Sequence, residues 1–279
     1  MDINNCILII DKPPGQTSHE TTTLVKKITG ASRSGHAGTL DPEVSGVLPV
    51  ALGKATKLLR YIAGKEKTYV GLVKFRKIMS KEEIERLFSQ FTGELIQTPP
   101  KISAVRKVAR KRHVYYIKLL EKHERLVLFE TRVDAGTYIR TLCEDMGKKC
   151  GGARMEELRR IAVGDIRENQ THSMQELVDA VWFKKNDPSL LESMMIKPEF
   201  LIDLPKVFVK EAVIKSIISG AQIMAPGIES MENVTKGMKV AIYSRDKFVG
   251  VGVSEIDSKE LLEKKNGMVV KIERIHFQE

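Results

Sequence analysis

The sequence is poor in the features that mark redox, metal-dependent and membrane proteins. Its 279 residues include three cysteines, Cys6, Cys143 and Cys150. None forms a C-x-x-C pair, and three thiols cannot all pair within one chain, so reduced thiols in a cytoplasmic protein fit best. The six histidines are scattered without H-E-x-x-H spacing, which leaves no metal motif. Neither G-x-G-x-x-G nor G-x-x-x-x-G-K-[ST] occurs, and this disfavours a nucleotide-binding loop. No apolar run could span a bilayer. The one near the N-terminus, Ile7 to Ile10, stops at Asp11 and Lys12, too short for the core of a signal peptide. Internal repeats are absent, as is low complexity beyond one basic run. The expectation is a soluble cytoplasmic protein, not membrane-bound, that needs no metal or cofactor.

What the chain does have is positive charge. Its 46 Lys and Arg against 36 Asp and Glu leave a formal net charge of +10. Such an excess favours polyanionic partners, because each phosphate neutralised releases condensed counterions. A generally basic, solvated surface accounts for the same number. The length allows one large domain, or a large domain plus a small one.

Hydrophobic patterning supplies the elements. Ile7 to Ile10 reads as a buried strand closed by the turn Lys12-Pro13-Pro14-Gly15. Thr17 and Glu20 form a capping box for a helix carrying Leu24, Val25 and Ile28, which Gly30 ends. A loop is expected from Ser32 to Thr39, an apolar stretch from Val47 to Leu52, and a strand from Thr68 to Phe75. Ser80 with Glu83 caps a helix whose inner face is Ile84, Leu87, Phe88 and Phe91. Tyr115–Leu120 and Leu126–Val133 read as paired strands. A helix follows Gly136 to about Lys149, and Ser173 with Glu176 caps another that bears the single tryptophan, Trp182. Pro188, Pro198 and Pro205 punctuate the next stretch, and a domain boundary is placed near Pro205. Beyond it lie a short helix ending at Gly220 and strands at Met238–Tyr243, Phe248–Val253 and Met268–Ile275, which suggest a small β-barrel-like module.

The stretch richest in chemistry is Gly35-His36-Ala37-Gly38-Thr39-Leu40-Asp41-Pro42, continuing Ser45-Gly46-Val47-Leu48-Pro49-Val50. A glycine-rich loop there presents a carboxylate and an imidazole close together, and a proline fixes the chain after Asp41. A plain turn fits the same residues. The segment resembles the signature of the TruB/dyskerin pseudouridine synthases, and three more stretches match in order. They are Asp11 to His19, Lys67-Thr68-Tyr69, and Ala135-Gly136-Thr137-Tyr138-Ile139-Arg140-Thr141-Leu142. Gly220 to Ile228 and the strands after it resemble a PUA domain, and Ile96 to Val105 leans towards the archaeal dyskerin homologue. Arg154 stands where the family's G-A-H motif has histidine, and Ile161-Ala162-Val163-Gly164 looks more like the bacterial stand-alone enzymes.

The resemblance implies a mixed α/β (α+β) fold. Residues 1–204 would form a pseudouridine synthase catalytic domain with a largely antiparallel central sheet, and residues 205–279 a PUA RNA-binding domain. It also implies an isomerase that detaches a uracil base in RNA and rejoins it through carbon, a reaction with no redox step and no cofactor. Asp41 would be the catalytic carboxylate, Arg140 its ion-pair partner and Tyr69 the base-stacking aromatic. His36, Tyr138 and Leu158 match positions lining the uracil pocket, whereas Lys12 buttresses the site.

Physical chemistry suits these residue types. A flipped base costs a few kcal/mol, of which an aromatic face returns roughly 1–3 kcal/mol by stacking. A neighbouring guanidinium favours an ionised carboxylate, and an arginine holds it in a two-point fork that lysine cannot reproduce. The run Lys101 to His113 reads as a phosphate-tracking surface or a solvated loop. Arg154, Arg159 and Arg160 form a second basic cluster beside the loop that closes over RNA. Implied substrates are the T-loop uridine of tRNA and rRNA uridines selected by a box H/ACA guide RNA, with the small H/ACA core proteins as partners in the guided mode. A non-catalytic RNA-binding scaffold of the same ancestry is the alternative.

Overall fold

In the computed structural model, which describes residues 2–99 and 106–276, the apolar run near the N-terminus becomes β1 (Asn5–Lys12), buried on both faces. The Thr17–Glu20 capping box opens α1 (Ser18–Thr29), which ends at Gly30 in the left-handed conformation. The segment expected as a loop from Ser32 to Thr39 contains a short strand instead, β2 (Ser34–His36). Its serine and glycine content reads as a loop, but β3 (Ser45–Gly53) offers an edge, and Gly35 pairs with Ala51. A Cβ at Gly35 would come within 2.8 Å of Leu59 Cδ1, which would have to move aside.

The rest of the first compact unit, residues 1–196, follows in order. It comprises α2 (Leu59–Ala63), β4 (Lys67–Phe75), α3 (Lys81–Ser89), β5 (Gly93–Gln97), β6 (Arg110–His123) and β7 (Leu126–Val133). Then come α4 (Ile139–Cys150), β8 (Ala153–Val163), β9 (Ile166–Arg167), α5 (Met174–Phe183) and α6 (Ser189–Met194). The expected capping boxes at Ser80 and Ser173 start α3 and α5. Residues 100–105, which hold the start of the Lys101–His113 run and the end of the Ile96–Val105 match, lie outside the described residues.

The sheet runs β1-β3-β8-β4-β7-β6-β5, with β2 beside β3 and β9 beside β8. All these ladders are antiparallel except β3–β8, so the expected mixed fold with a largely antiparallel sheet is what forms. One apolar core packs Val73, Phe75 and Phe129 against Phe88 of α3 and Met146 of α4. Another packs Leu8, Ile10, Leu48 and Val50 against Val25 of α1 and Leu177 of α5. Strand β8 joins the two halves of the sheet. It went unread in the sequence because five of its eleven residues are charged, which hides the alternation that places Leu158 and Arg160 inward.

The second unit, residues 197–279, holds β10 (Lys206–Val209), α7 (Ile214–Ile218), β11 (Ile223–Met224), β12 (Ile228–Met231), β13 (Lys239–Ser244), β14 (Lys247–Ser254) and β15 (Met268–Ile275). They form a barrel-like sheet in the order β11-β15-β14-β13-β10-β12 around Val207, Val240, Ile242 and Val269. The tight turn between β13 and β14 puts Arg245 at φ +53°. Among the described residues, no helix is long and apolar enough to cross a membrane.

Two glycines with positive φ separate a backbone cost from a packing cost. At Gly30, φ +70°, a Cβ would meet nothing within 4 Å, whereas at Gly46, φ +105°, it would lie 2.2 Å from the Arg160 carbonyl oxygen on β8. Gly30→Ala is expected to cost about 1 kcal/mol. Gly46→Ala should cost at least about 3 kcal/mol, because β3 and β8 must separate. Urea unfolding of the two variants measures the difference, and equal losses would contradict it.

Candidate active site

The loop bearing Asp41 is held from several sides. Ser18 Oγ accepts from the Leu40 amide at 2.8 Å and donates to the Leu40 carbonyl at 3.0 Å. Lys12, fully buried, donates from Nζ to Pro13 O at 2.8 Å and Pro42 O at 3.0 Å. The Gly15 amide also donates to Pro42 O, at 2.9 Å. The Asp11–His19 stretch thus clamps the residues on either side of Asp41, leaving its carboxylate half exposed.

That carboxylate faces a cavity of about 470 Å³, whose wall includes Tyr69, Tyr138, Arg140 and Leu158. Arg140 stands in the first turn of α4 and donates from Nη2 to Asp41 Oδ2 at 2.5 Å. One hydrogen bond joins the pair where a two-point fork was expected. Both side chains keep about half their surface, 42% and 50%, so each has room to meet a substrate. Tyr69, on the inward face of β4, is 8% exposed, and Leu158, inward on β8, is 9% exposed and belongs to the adjoining core. Tyr138 is the N-cap of α4, and its peptide is gripped at both ends by the buried amide of Gln97. The Gln97 Oε1 accepts from Tyr138 N at 2.9 Å, and Nε2 donates to Tyr138 O at 3.2 Å.

His36 is not in the cavity wall. It sits on β2 opposite Val50, its Nδ1 buried without a hydrogen-bond partner. Burial, with smaller contributions from Arg160 and His19, lowers its pKa.

The expected basic cluster of Arg154, Arg159 and Arg160 is divided between the interior and the surface. Arg160 is 1% exposed and points into the protein. Its Nε donates to Val47 O at 2.8 Å and its Nη2 to Gly38 O at 3.0 Å. Burial pushes its pKa down, opposed by Tyr69 through its charge and a side-chain hydrogen bond. Arg159 is engaged by Asp11 in a two-point contact at 2.9 and 3.0 Å and by Glu168 at 3.0 Å. Arg154 pairs with Glu156 at 2.6 Å. Strand alternation is the reason: β8 turns Arg159 and Arg160 to opposite faces.

Four wall or support residues escaped the sequence reading. Gln97 lies in the Ile96–Val105 match without a role assigned to it there, and Arg160 reads as part of a surface cluster. Lys67 had one, since it lies two residues before Tyr69 on a strand and therefore on the same face. Thr137 had another, inside the Gly-Thr-Tyr-Ile-Arg stretch. It lines the cavity, with its Oγ1 buried and without a partner. Among the described residues, no group of three or more His, Cys, Asp or Glu side chains could hold a metal ion.

Residues 26–139 match the N-terminal domain of the TruB family pseudouridylate synthases, residues 140–201 the tRNA pseudouridylate synthase B C-terminal domain, and residues 205–276 the PUA domain. A protein of Nanoarchaeum equitans named probable tRNA pseudouridine synthase B is 42% identical over 280 residues, covering 98% of this chain and 80% of that one. Among solved structures, a chain from a Cbf5-Nop10-Gar1 complex matches with a TM-score of 0.90 at 39% identity, over 98% of this chain and 85% of that one. A chain from an H/ACA RNP bound to a substrate RNA containing 2′-deoxyuridine matches with a TM-score of 0.89 at 37% identity, over 99% and 86%.

Lys67 gives the cavity a pH signature. It is 4% exposed, and its Nζ donates to Ala63 O at 2.7 Å and to Lys65 O. Burial, reinforced by Arg160 and opposed by Glu66, lowers its pKa from 10.5 to about 8. Between those two values the unfolded chain holds more of this proton than the folded chain does, so the group's contribution to stability rises with pH. The rise is at most roughly 1.4 kcal/mol per pH unit. Measured against Lys67→Met, the unmodified protein should gain stability from pH 8 upward in urea titrations. A difference that stays flat with pH would contradict the assignment.

Proposed function

The chain belongs to the TruB family of pseudouridylate synthases, and on that footing we propose that it converts uridine to pseudouridine in RNA at Asp41, acting on the T-loop uridine of tRNA and on rRNA uridines presented by a box H/ACA guide RNA. The observation that carries the reading is the Asp41–Arg140 pair, half exposed at a cavity of about 470 Å³ with Tyr69 in its wall. The reaction breaks the N1–C1′ glycosidic bond and forms a C5–C1′ bond. The C5 proton leaves and N1 gains one, so no electrons are exchanged and the isomerase needs no cofactor.

Asp41 acts as the ionised carboxylate, on the sugar or on the ring. Arg140 holds it, through one hydrogen bond that leaves the second carboxylate oxygen available. Tyr69 stacks on the extruded base, while Tyr138 and Leu158 bound the uracil. Thr137 also lines the cavity, with its hydroxyl oxygen buried in the wall. We assign this chemistry to residues 1–204 and RNA grip to residues 205–279, which carry the PUA match.

The similar chains in the Cbf5-Nop10-Gar1 complex and in the H/ACA RNP support small H/ACA core proteins as partners in the guided mode. An RNA-modifying enzyme of this kind works in the cytoplasm.

The test is tritium release from a T-loop hairpin labelled at C5 of uracil, run beside a target presented by an assembled guide RNA. Asp41→Asn is expected to abolish release on both while leaving RNA affinity within roughly tenfold, because phosphate contacts carry most of the affinity. Release by the variant at the unmodified rate would remove Asp41 from the mechanism. No release by the unmodified protein on either RNA would favour a non-catalytic scaffold.

A further inference from the structure

A second concave site lies in the same unit, and its lining shares no residue with the Asp41 cavity. It is a cleft of about 290 Å³ into which Lys74, Arg76, Arg125 and Arg154 project from three segments far apart in sequence. Two backbone hydrogen bonds bring the segments together: Phe75 N to Arg125 O at 2.8 Å, and Arg76 N to Gly152 O at 2.8 Å. Arg125 comes from the β6–β7 turn, whose Glu124 has φ +50°. Gly152, φ +129°, leaves room for the Arg76 stem, whose carbons lie 3.3 and 3.4 Å from where a Cβ would stand. Gly152 thus provides a floor across which the Arg76 stem is laid.

The charges there are not arranged for stability. Lys74 and Arg154 are direct partners across the β4–β8 ladder, and like charges opposite one another in a sheet repel. Arg154 is neutralised by Glu156. Lys74, Arg76 and Arg125 have no ion-pair partner among the described residues. Three uncompensated cations in one concavity favour an anion carrying several charges in a row. Arginine predominates, and its fork suits phosphate oxygens.

We propose that this cleft binds the phosphodiester backbone of RNA outside the target loop, as a second anchor remote from the reacting uridine. The inference rests on the proposed RNA substrate. Lys74 is five residues beyond Tyr69 on β4, which at about 3.4 Å per residue is roughly 17 Å along the strand. The cleft would therefore hold phosphates of the flank rather than those of the target loop itself, and RNA with a longer flank supplies more of them.

The experiment measures affinity by fluorescence anisotropy across a salt series, for the full chain with two RNAs, a minimal T-loop hairpin and the same hairpin with an extended stem. The double variant Arg76→Gln, Arg125→Gln removes two contacts. Its slope of log affinity against log salt on the extended RNA should fall by roughly 1.4–1.8, and its affinity near 0.1 M salt by roughly 30-fold. On the minimal hairpin, affinity and tritium release should stay at the unmodified level. Arg76→Lys with Arg125→Lys should keep most of the slope, and Arg125→Gln alone, which leaves the Arg76 packing intact, should lose about half of it. An unchanged slope on the extended RNA would overturn the proposal. So would an equal loss on both RNAs, or retention of RNA binding with loss of binding to polyglutamate, which would mark an acidic peptide as the occupant. Because the readout is binding rather than turnover, an inactive Asp41 would not mimic any of these results.

Discussion

Arg160 carries a charge into a position 1% exposed, where no carboxylate of the described residues meets it, and the shape of the active site follows from how that charge is accommodated. Burying an ion costs several kcal/mol unless hydrogen bonds replace the water it gives up. Here the replacements are the carbonyls of Val47 and Gly38, at 2.8 and 3.0 Å, together with the Tyr69 side chain. The guanidinium therefore links the strand after the reactive loop, the loop itself and the aromatic on β4. Asp41 lies three residues beyond Gly38, so the bond that offsets the buried charge also sets where the carboxylate stands. Gly38 suits its φ of +95°, and at Gly46 the backbone of Arg160 approaches so closely that a Cβ would stand 2.2 Å from its carbonyl oxygen. Lys67 loses proton affinity partly because Arg160 is its neighbour.

The elements that hold this centre were unevenly legible in the sequence. Capping boxes at Thr17, Ser80 and Ser173 fixed helix starts, because each is a local reciprocal hydrogen bond that two residues encode. The apolar strands β1, β4 and β7 were readable from burial patterning. The last strand, Met268–Ile275, has the bounds expected of it. Strand β8 was not readable, since whether an arginine points inward depends on register with β3 and β4, which local sequence does not contain. That missing register misplaced Arg159 and Arg160 onto a surface.

The candidate site shows the same division. Asp41, Arg140, Tyr69, Tyr138 and Leu158 converge on one cavity, and all were nameable because they fall in stretches resembling a family signature. Gln97 acts across 41 residues on the backbone N–H and C=O of one residue, Tyr138, and nothing near it in sequence reports that. His36 lay in the richest motif yet turns away from the wall, because β2 must pair with β3 and pairing fixes its side chain's direction. The half-exposed Asp41–Arg140 pair contrasts with the buried Arg160: one is open to solvent at the cavity, the other is committed to architecture. Net positive charge, the plainest feature of the composition, divides between cations held internally or in ion pairs and others left free for a polyanion.

The most direct measurement is steady-state tritium release by Arg160→Lys on the T-loop hairpin, with a melting curve and an RNA-binding isotherm beside it. Lysine keeps the charge but cannot reach both carbonyls as a fork does. If the buried guanidinium positions the reactive loop, kcat should fall on the order of tenfold or more, with RNA affinity and KM nearly unchanged and the protein still folded at the assay temperature. A folded Arg160→Lys protein with unmodified kcat would show that the loop holds Asp41 without it, and would contradict the central role given to Arg160.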